Sequence, residues 1–273
     1  MNNNKLFSVL IPVYHKDDAK LFDKALSSIK NNSRPPSQIV IVIDGPISFA
    51  LKRVLNSHQD KIVDVVKLEE NKGIVEALNI GLLHCKNELV ARCDADDINC
   101  TDRFAHQLNA FHSDTNLSVC GGQIIEQGTG SNLKKAVPTT DEKIKFFLKL
   151  RNPLNHMTVM FKKSDILELG GYPNIKYRED YALWCKVVAS GKRIINLPSV
   201  LVIVSGGDAM YKRRGGPTHV IYEFRLQCLM YGSGCINLFE FLRNMFVRCV
   251  NMIMPSTLRG VIYKNILRQK IND

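Results

Sequence analysis

The chain lacks any Cys-x-x-Cys pair, and its eight cysteines form no His/Cys cluster at zinc-ligand spacing, so a zinc finger is excluded. No Gly-x-Gly-x-x-Gly follows the first apolar run, Phe7–Val13, and there is no P-loop. Both gaps count against an NAD-dependent Rossmann enzyme, one of the alternative α/β readings, with a nucleotidyltransferase as the other. No export signal opens the sequence: Met1–Lys5 is polar, and Phe7–Val13 is too short for a signal core. Unpaired thiols without such a signal lead to the expectation of a reducing, cytoplasmic location, with each cysteine read as a small buried hydrophobe. Acids are scarce. Twenty-six Asp and Glu stand against 37 Lys and Arg, giving a formal charge of +11 and a pI near 9.3. That excess suits a phosphorylated substrate, an anionic membrane surface or nucleic acid. No aromatic-basic ribonucleoprotein motif is present, so nucleic acid is not expected as a partner.

What is present begins with length: 273 residues, 45% hydrophobic, can bury a core as one large α/β domain or a domain with an appendage. The first half alternates strand-like and helix-like patterns. Phe7–Val13, Ile39–Ile43, Ile62–Leu68 and Leu89–Arg92 read as buried strands. Polar or amphipathic helices intervene near 18–31, 49–57 and 71–84. Repeated strand–helix–strand units of this length imply a mostly parallel, Rossmann-like sheet flanked by helices. In such sheets ligands bind beyond the carboxyl ends of the strands. Tyr14, Asp44, Asn71 and Asp94 all follow strands at that edge. Ser118–Val204 reads as mixed strands and helices, and the C-terminal third as helical.

Arg92-Cys93-Asp94-Ala95-Asp96-Asp97 is the densest acidic feature. Carboxylates gathered at a strand end repel one another unless a cation or hydroxylated ligand is offered between them, and Mg²⁺ or Mn²⁺ is commonly held by one or two carboxylates plus phosphate oxygens. On spacing alone two readings stay open: a metal–diphosphate site, or a solvated acidic turn that caps the next helix.

The order Ser8-Val9-Leu10-Ile11-Pro12-Val13-Tyr14, Ile43-Asp44-Gly45, Asn71-Lys72-Gly73, Asp94-Ala95-Asp96-Asp97 and Arg178-Glu179-Asp180-Tyr181 resembles family 2 glycosyltransferases over about residues 6 to 216. Asn155-His156-Met157-Thr158, Tyr181-Ala182-Leu183-Trp184 and Tyr211-Lys212-Arg213-Arg214-Gly215-Gly216 bring it nearer to bacterial O-antigen and exopolysaccharide (amylovoran-type) transferases. The resemblance implies a glycosyltransferase A fold, nucleotide-diphosphate-sugar donors and an inverting transfer. It divides the chain into a catalytic domain, 1–216, and a helical, basic segment, 217–273. Within the first, 1–117 would bind the nucleotide sugar and 118–216 the acceptor.

By the same resemblance Pro12, Tyr14, Asp44, Asn71, Gly73, Arg92, Asp94 and Asp96 hold the donor, expected to be a UDP-hexose carrying galactose or glucose. A carboxylate at Asp44 is suited to accept the imide N–H of uracil, although Asp-Gly-Pro is also an ordinary turn. Asp96 and Asp94 would ligate Mn²⁺ or Mg²⁺, with Asp97 either a further contact or a helix cap. Asp180 would be the general base, taking the proton of the attacking acceptor hydroxyl. Glu179 and Asp180 also suit a helix N-terminus, where the dipole and Arg178 would hold a carboxylate ionised. His156 is either a diphosphate or acceptor contact, or a structural histidine. Arg213 and Arg214 either clamp phosphate or form a solvated basic loop. Trp184, the one tryptophan, reads as core rather than as a sugar platform.

From Ile236 to Met254 nearly every residue is apolar, and the exceptions Glu240, Arg243, Asn244, Arg248 and Asn251 recur three or four apart. The charges argue against a spanning helix. A second helix beyond Pro255 would set Leu258, Val261, Ile262, Ile266 and Leu267 opposite Arg259, Lys264, Arg268 and Lys270. Two readings stay open here: helices in a membrane interface, or a hairpin packed on the catalytic domain. The implied partner is a lipid-diphosphate-linked saccharide acceptor, with peripheral contact at the cytoplasmic face of the inner membrane.

Overall fold

Alternation within the buried strands explains how one sheet is covered on both faces. In β1 (Phe7–Val13) Val9 and Ile11 pack into one cluster with Phe22, Leu26 and Phe104, while Leu10 enters the other with Leu78, Leu82 and Trp184. In β2 (Gln38–Ile43) Ile39 and Ile41 join the first cluster, and Val40 and Val42 the second. Period-two side chains with both faces apolar are what a sheet between two helical layers requires. The computed structural model describes residues 6–127, 132–205, 217–253 and 269–270.

The first half runs β1, α1 (Ala19–Lys30), β2, α2 (Phe49–Ser57), β3 (Val63–Lys67), α3 (Ile74–His84) and β4 (Leu89–Arg92). Strands β3, β2, β1 and β4 lie side by side in that order, all parallel. Asp18 begins α1, its carboxylate accepting the backbone N–H groups of Lys20 and Leu21 at 2.8 and 3.0 Å. The strands and helices expected here are all found: β1, α2 and β4 have the expected ends, and the ends of the others move by at most three residues.

Next come β5 (Ile98–Asn99), α4 (Arg103–Ser113), β6 (Leu117–Gln127), β7 (Asn132–Lys135) and α5 (Asp141–Leu148). They are followed by β8 (Met160–Lys162), α6 (Lys163–Glu168), α7 (Glu179–Ala189) and β9 (Arg193–Val204). Strand β8 runs antiparallel between β4 and β6, and β9 runs parallel to β6. The sheet therefore continues through β4 into the second half, and the turn leaving β4 faces both. Helices α8 (Pro217–Gly232) and α9 (Leu238–Ile253) form a hairpin against α7, and the pair β10 (Gln269–Lys270) lies beside β7.

Candidate active site

Two loops are locked together beyond β2 and β3. Asp44, 4% exposed, accepts the backbone N–H of Lys72 on one oxygen at 2.7 Å and that of Gly73 on the other at 3.0 Å. The Asn71 amide donates to the Asp44 carbonyl at 3.2 Å. Gly45 makes the approach possible: its φ is +81°, and a Cβ there would lie 2.6 Å from the Asn71 nitrogen. Asp44 is thus a fixed acceptor, its orientation set by two amides.

The turn after β4 concentrates charge. Carboxylate oxygens of Asp94, Asp96 and Asp97 lie within 4.8 Å of one another. Arg92, buried at the end of β4, pairs through Nη2 with Asp94 Oδ1 at 2.5 Å. Burial, and then the charges of Asp94 and Asp96, push the Asp97 carboxyl up to about 8, while Arg92 and the Ser205 N–H pull against the rise. A fourth acid joins from the turn after β1. Asp17 accepts the Tyr14 N–H at 2.9 Å, and burial, aided by the charges of Asp96 and Asp94, raises it to about 7.

The second carboxylate pair opens α7. Asp180 Oδ2 accepts the Asn152 amide at 2.7 Å, and Oδ1 accepts the Tyr181 N–H at 2.7 Å. Burial and the neighbouring Asp180 charge raise Glu179 to about 7, against the opposing pull of Arg92 and Arg178. For Glu179, then, desolvation overrides the helix dipole. Arg178 is directed elsewhere, to Glu223 Oε2 at 2.8 Å.

Arg92 and Tyr172 join the two acidic groups. The Tyr172 hydroxyl, raised mainly by burial, feels the charges of Arg92, Asp180, Glu179 and Asp94 together. His156 meets that hydroxyl through Nε2 at 3.0 Å, and its ring stands edge-on to Trp184 at 6.1 Å. Desolvation, with the Arg92 charge behind it, holds the imidazole well below its ordinary 6.5, so His156 is neutral at pH 7. Trp184 is fully buried and belongs to the core. Asp97 Oδ1, Arg92 Nε and Glu179 Oε2 are buried without a hydrogen-bond partner among the described residues. Unpartnered buried polar atoms in one region are the mark of a site shaped for a ligand, and clustered acids raised first by burial and then by one another's charge fit a divalent cation.

Residues 8–166 match the family model described as Glycosyl transferase family 2. The chain belongs to glycosyltransferase family 2. This glycosyltransferase is 35% identical over 268 residues to an Escherichia coli UDP-Gal:alpha-D-GlcNAc-diphosphoundecaprenol beta-1,3-galactosyltransferase, covering 96% of this chain and 97% of that protein. It is 32% identical over 261 residues to the amylovoran biosynthesis glycosyltransferase AmsE of Erwinia amylovora, covering 95% and 98%. Its fold is that of the mannosyltransferase PcManGT from Pyrobaculum calidifontis, solved in complex with GDP-Man and Mn²⁺. The TM-score is 0.59 at 17% identity, over 95% of this chain and 75% of that one.

Within the transferase, Pro12, Tyr14, Asp44, Asn71, Gly73, Arg92, Asp94, Asp96 and Asp97 lie at the carboxyl ends of β1 to β4 or in the turns that follow. Glu179, Asp180 and His156 approach from the second half. Arg213 and Arg214 lie outside the described residues, as does the expected helix beyond Pro255 up to Arg268, while its last expected residue, Lys270, is in strand β10 rather than a helix, paired there with Leu133 of β7. Asp17, Tyr172 and Asn152 escaped sequence reading. Asp17 directly precedes the helix expected near 18–31, where the sequence gives no sign that only Asp18 caps it and Asp17 turns back to Tyr14. Nothing in the sequence marks Tyr172 or Asn152, which reach the site through tertiary contacts.

Proposed function

We propose that this glycosyltransferase transfers a hexose from a nucleotide diphosphate, with inversion, to a saccharide carried on a polyprenyl diphosphate during O-antigen or exopolysaccharide repeat-unit synthesis. The donor is UDP-galactose or UDP-glucose. The observation that carries the reading is the meeting of two acidic groups at one buried guanidinium: Asp94 in ion pair with Arg92, and Glu179, beside Asp180, within its field. The 35% identical E. coli protein, named for a UDP-Gal donor and a diphosphoundecaprenol acceptor, supports both substrates.

Roles follow from placement. Pro12, Tyr14, Asp44 and the Asn71–Gly73 loop hold the nucleotide, with Asp44 pre-set by its two backbone donors. Asp94, Asp96 and Asp97 would hold Mn²⁺ or Mg²⁺, and Asp17 adds charge beside them. A cation bound there supplies Lewis acidity to the departing diphosphate. Asp180, fixed by Asn152 and the Tyr181 N–H, takes the acceptor hydroxyl proton as that oxygen attacks the anomeric carbon and the bond to the diphosphate breaks. Glu179, raised to about 7 by burial and then by the Asp180 charge, is partly protonated at neutral pH. For Arg213 and Arg214, outside the described residues, the family resemblance rather than placement supports phosphate contacts. The enzyme works in the cytoplasm at the membrane face, where a lipid-borne acceptor is presented. Transfer from a panel of nucleotide sugars to a synthetic N-acetylhexosamine-diphosphate-lipid tests the proposal: product with one UDP-hexose supports it, and no product beside intact UDP binding removes this acceptor class.

A further inference from the structure

Helix α9 is mounted inside out. A surface helix ordinarily turns its polar stripe to water and its apolar stripe to the core. Glu240, Asn244 and Arg248, at i, i+4 and i+8, form the polar stripe of α9, and all three are bonded into the protein. Glu240 Oε1 pairs with Lys149 Nζ at 3.0 Å. The Asn244 amide donates to the Lys149 carbonyl at 2.8 Å and to Gln227 Oε1 at 3.1 Å. Arg248 pairs with Glu223 Oε1 at 2.9 Å and donates to the Leu150 carbonyl at 2.8 Å. The opposite side carries Leu238, Phe239, Leu242 and Phe246, and these are 56%, 75%, 58% and 73% exposed.

Helix α8 extends the same surface. Ile221, Phe224 and Tyr231 recur at i, i+3 and i+10, and each is exposed, whereas Glu223, Leu226, Gln227 and Met230 are buried on the far side. Phe241 sits between the helices, its ring centroid 6.2 Å from that of Phe224 and 6.0 Å from that of Tyr231, so the two stripes merge. The only acids of residues 217–253, Glu223 and Glu240, are both taken by inward ion pairs. Arg225 stays exposed beside the stripe. Over residues 217–273 the sequence has seven Lys and Arg against three acids.

We infer that the outer face of the α8–α9 hairpin is a docking surface for an anionic lipid bilayer, lying in the headgroup–acyl boundary. Aromatic and leucine side chains facing outward, the exposed Arg225 at the margin and no outward carboxylate in 217–253 are the chemistry such an interface selects. A second copy of the chain would bring two basic segments together, which disfavours it as the occupant. Among the described residues no helix is long and apolar enough to cross a membrane, so the hairpin lies on the surface. The inference deepens the proposed function, because α8 also holds Arg178 through Glu223 and so couples the docked face to the residue that precedes Glu179 and Asp180.

The test is vesicle flotation of the full chain on phosphatidylethanolamine–phosphatidylglycerol–cardiolipin vesicles and on phosphatidylcholine alone, compared with Phe239→Ser/Phe246→Ser. The wild type should float with the anionic vesicles and at least tenfold less with phosphatidylcholine. The double variant should lose at least tenfold in binding, with unchanged transfer to a short-chain, water-soluble acceptor. Phe246→Trp gives a check that needs no loss of fold: lipids brominated along the acyl chain should quench it, since the native Trp184 is buried. Absence of quenching, or equal flotation of the double variant, would overturn the inference. So would a wild-type dimer in light scattering that the double variant abolishes without any vesicle binding. Vesicle binding without transfer from any nucleotide sugar would keep the docking surface and remove the proposed reaction instead.

Discussion

Replacing Asp180 by asparagine separates catalysis from folding by magnitude. The carboxylate accepts from Asn152 and from the Tyr181 N–H, and Asn152 is itself oriented by the Leu154 N–H, which donates to its oxygen at 3.2 Å. An amide at position 180 can satisfy one of its two donors and must oppose the other. The stability cost is therefore one net hydrogen bond, about 0.5–1.5 kcal/mol, or a melting shift on the order of 2–4 °C for a chain of this size. Loss of a general base costs about 10²–10⁴ in rate, roughly 3–5 kcal/mol of barrier. The rate effect exceeds anything the fold loses. Steady-state transfer with saturating donor, calorimetric UDP binding and thermal melting would be measured on one preparation. Turnover should fall at least a hundredfold, with UDP affinity kept within about threefold of wild type, on the order of 0.7 kcal/mol. Turnover above a tenth of wild type, with Glu179→Gln nearly inactive, would assign the base to Glu179. A parallel loss of UDP binding would place Asp180 in the donor pocket.

Further outcomes follow from the same geometry. Asp96→Asn should abolish metal-dependent turnover and leave the circular dichroism spectrum unchanged; activity retained across a Mn²⁺ titration would remove Asp96 from the metal site. Asp97 and Asp17 have folded pKa values raised to about 8 and about 7 from 3.8, so their contribution is fully present below 3.8, falls as pH rises above it and is gone once pH passes about 7 for Asp17 and about 8 for Asp97. Metal-free protein should therefore melt lower at pH 8.5 than at pH 6, Asp97→Asn should flatten that slope, and an equally steep slope in the variant would contradict the assignment. Gly45→Ala forces a Cβ within 2.6 Å of the Asn71 nitrogen at a φ of +81°. It should cost about 1–3 kcal/mol in stability and raise the donor KM, and unchanged melting and KM would refute the loop-locking role.

The first half of the fold was legible because its signals are local. Continuous apolar runs bounded by Asp-Gly, Asn-Lys-Gly and Asp-Ala-Asp-Asp mark buried strands and the turns that leave them, and β1 and β4 have the expected ends. The second half was less legible. Strands β6, β8 and β9 are set by pairings between distant segments, which no local period announces. The same reason hid Tyr172 and Asn152, whose roles exist only where chain segments meet. The direction of the Glu179 shift was illegible too: the helix start and Arg178 argue for an ionised acid, and only the fold reveals that burial dominates. For α9 the sequence exposed the polar stripe but not which way it points. Lys149, Glu223 and Gln227 turn it inward, and none of them neighbours it in sequence.

The central claim is metal-dependent hexosyl transfer from a nucleotide sugar. Its most direct test incubates the full chain with UDP-galactose, UDP-glucose, UDP-N-acetylglucosamine and GDP-mannose, a synthetic N-acetylhexosamine-diphosphate-lipid, and Mn²⁺, Mg²⁺ or EDTA, with Asp96→Asn as control. Product from UDP-galactose or UDP-glucose, lost with EDTA and with the variant, is the predicted result. No product from any donor, together with no calorimetric binding of UDP in the presence of Mn²⁺, would contradict it.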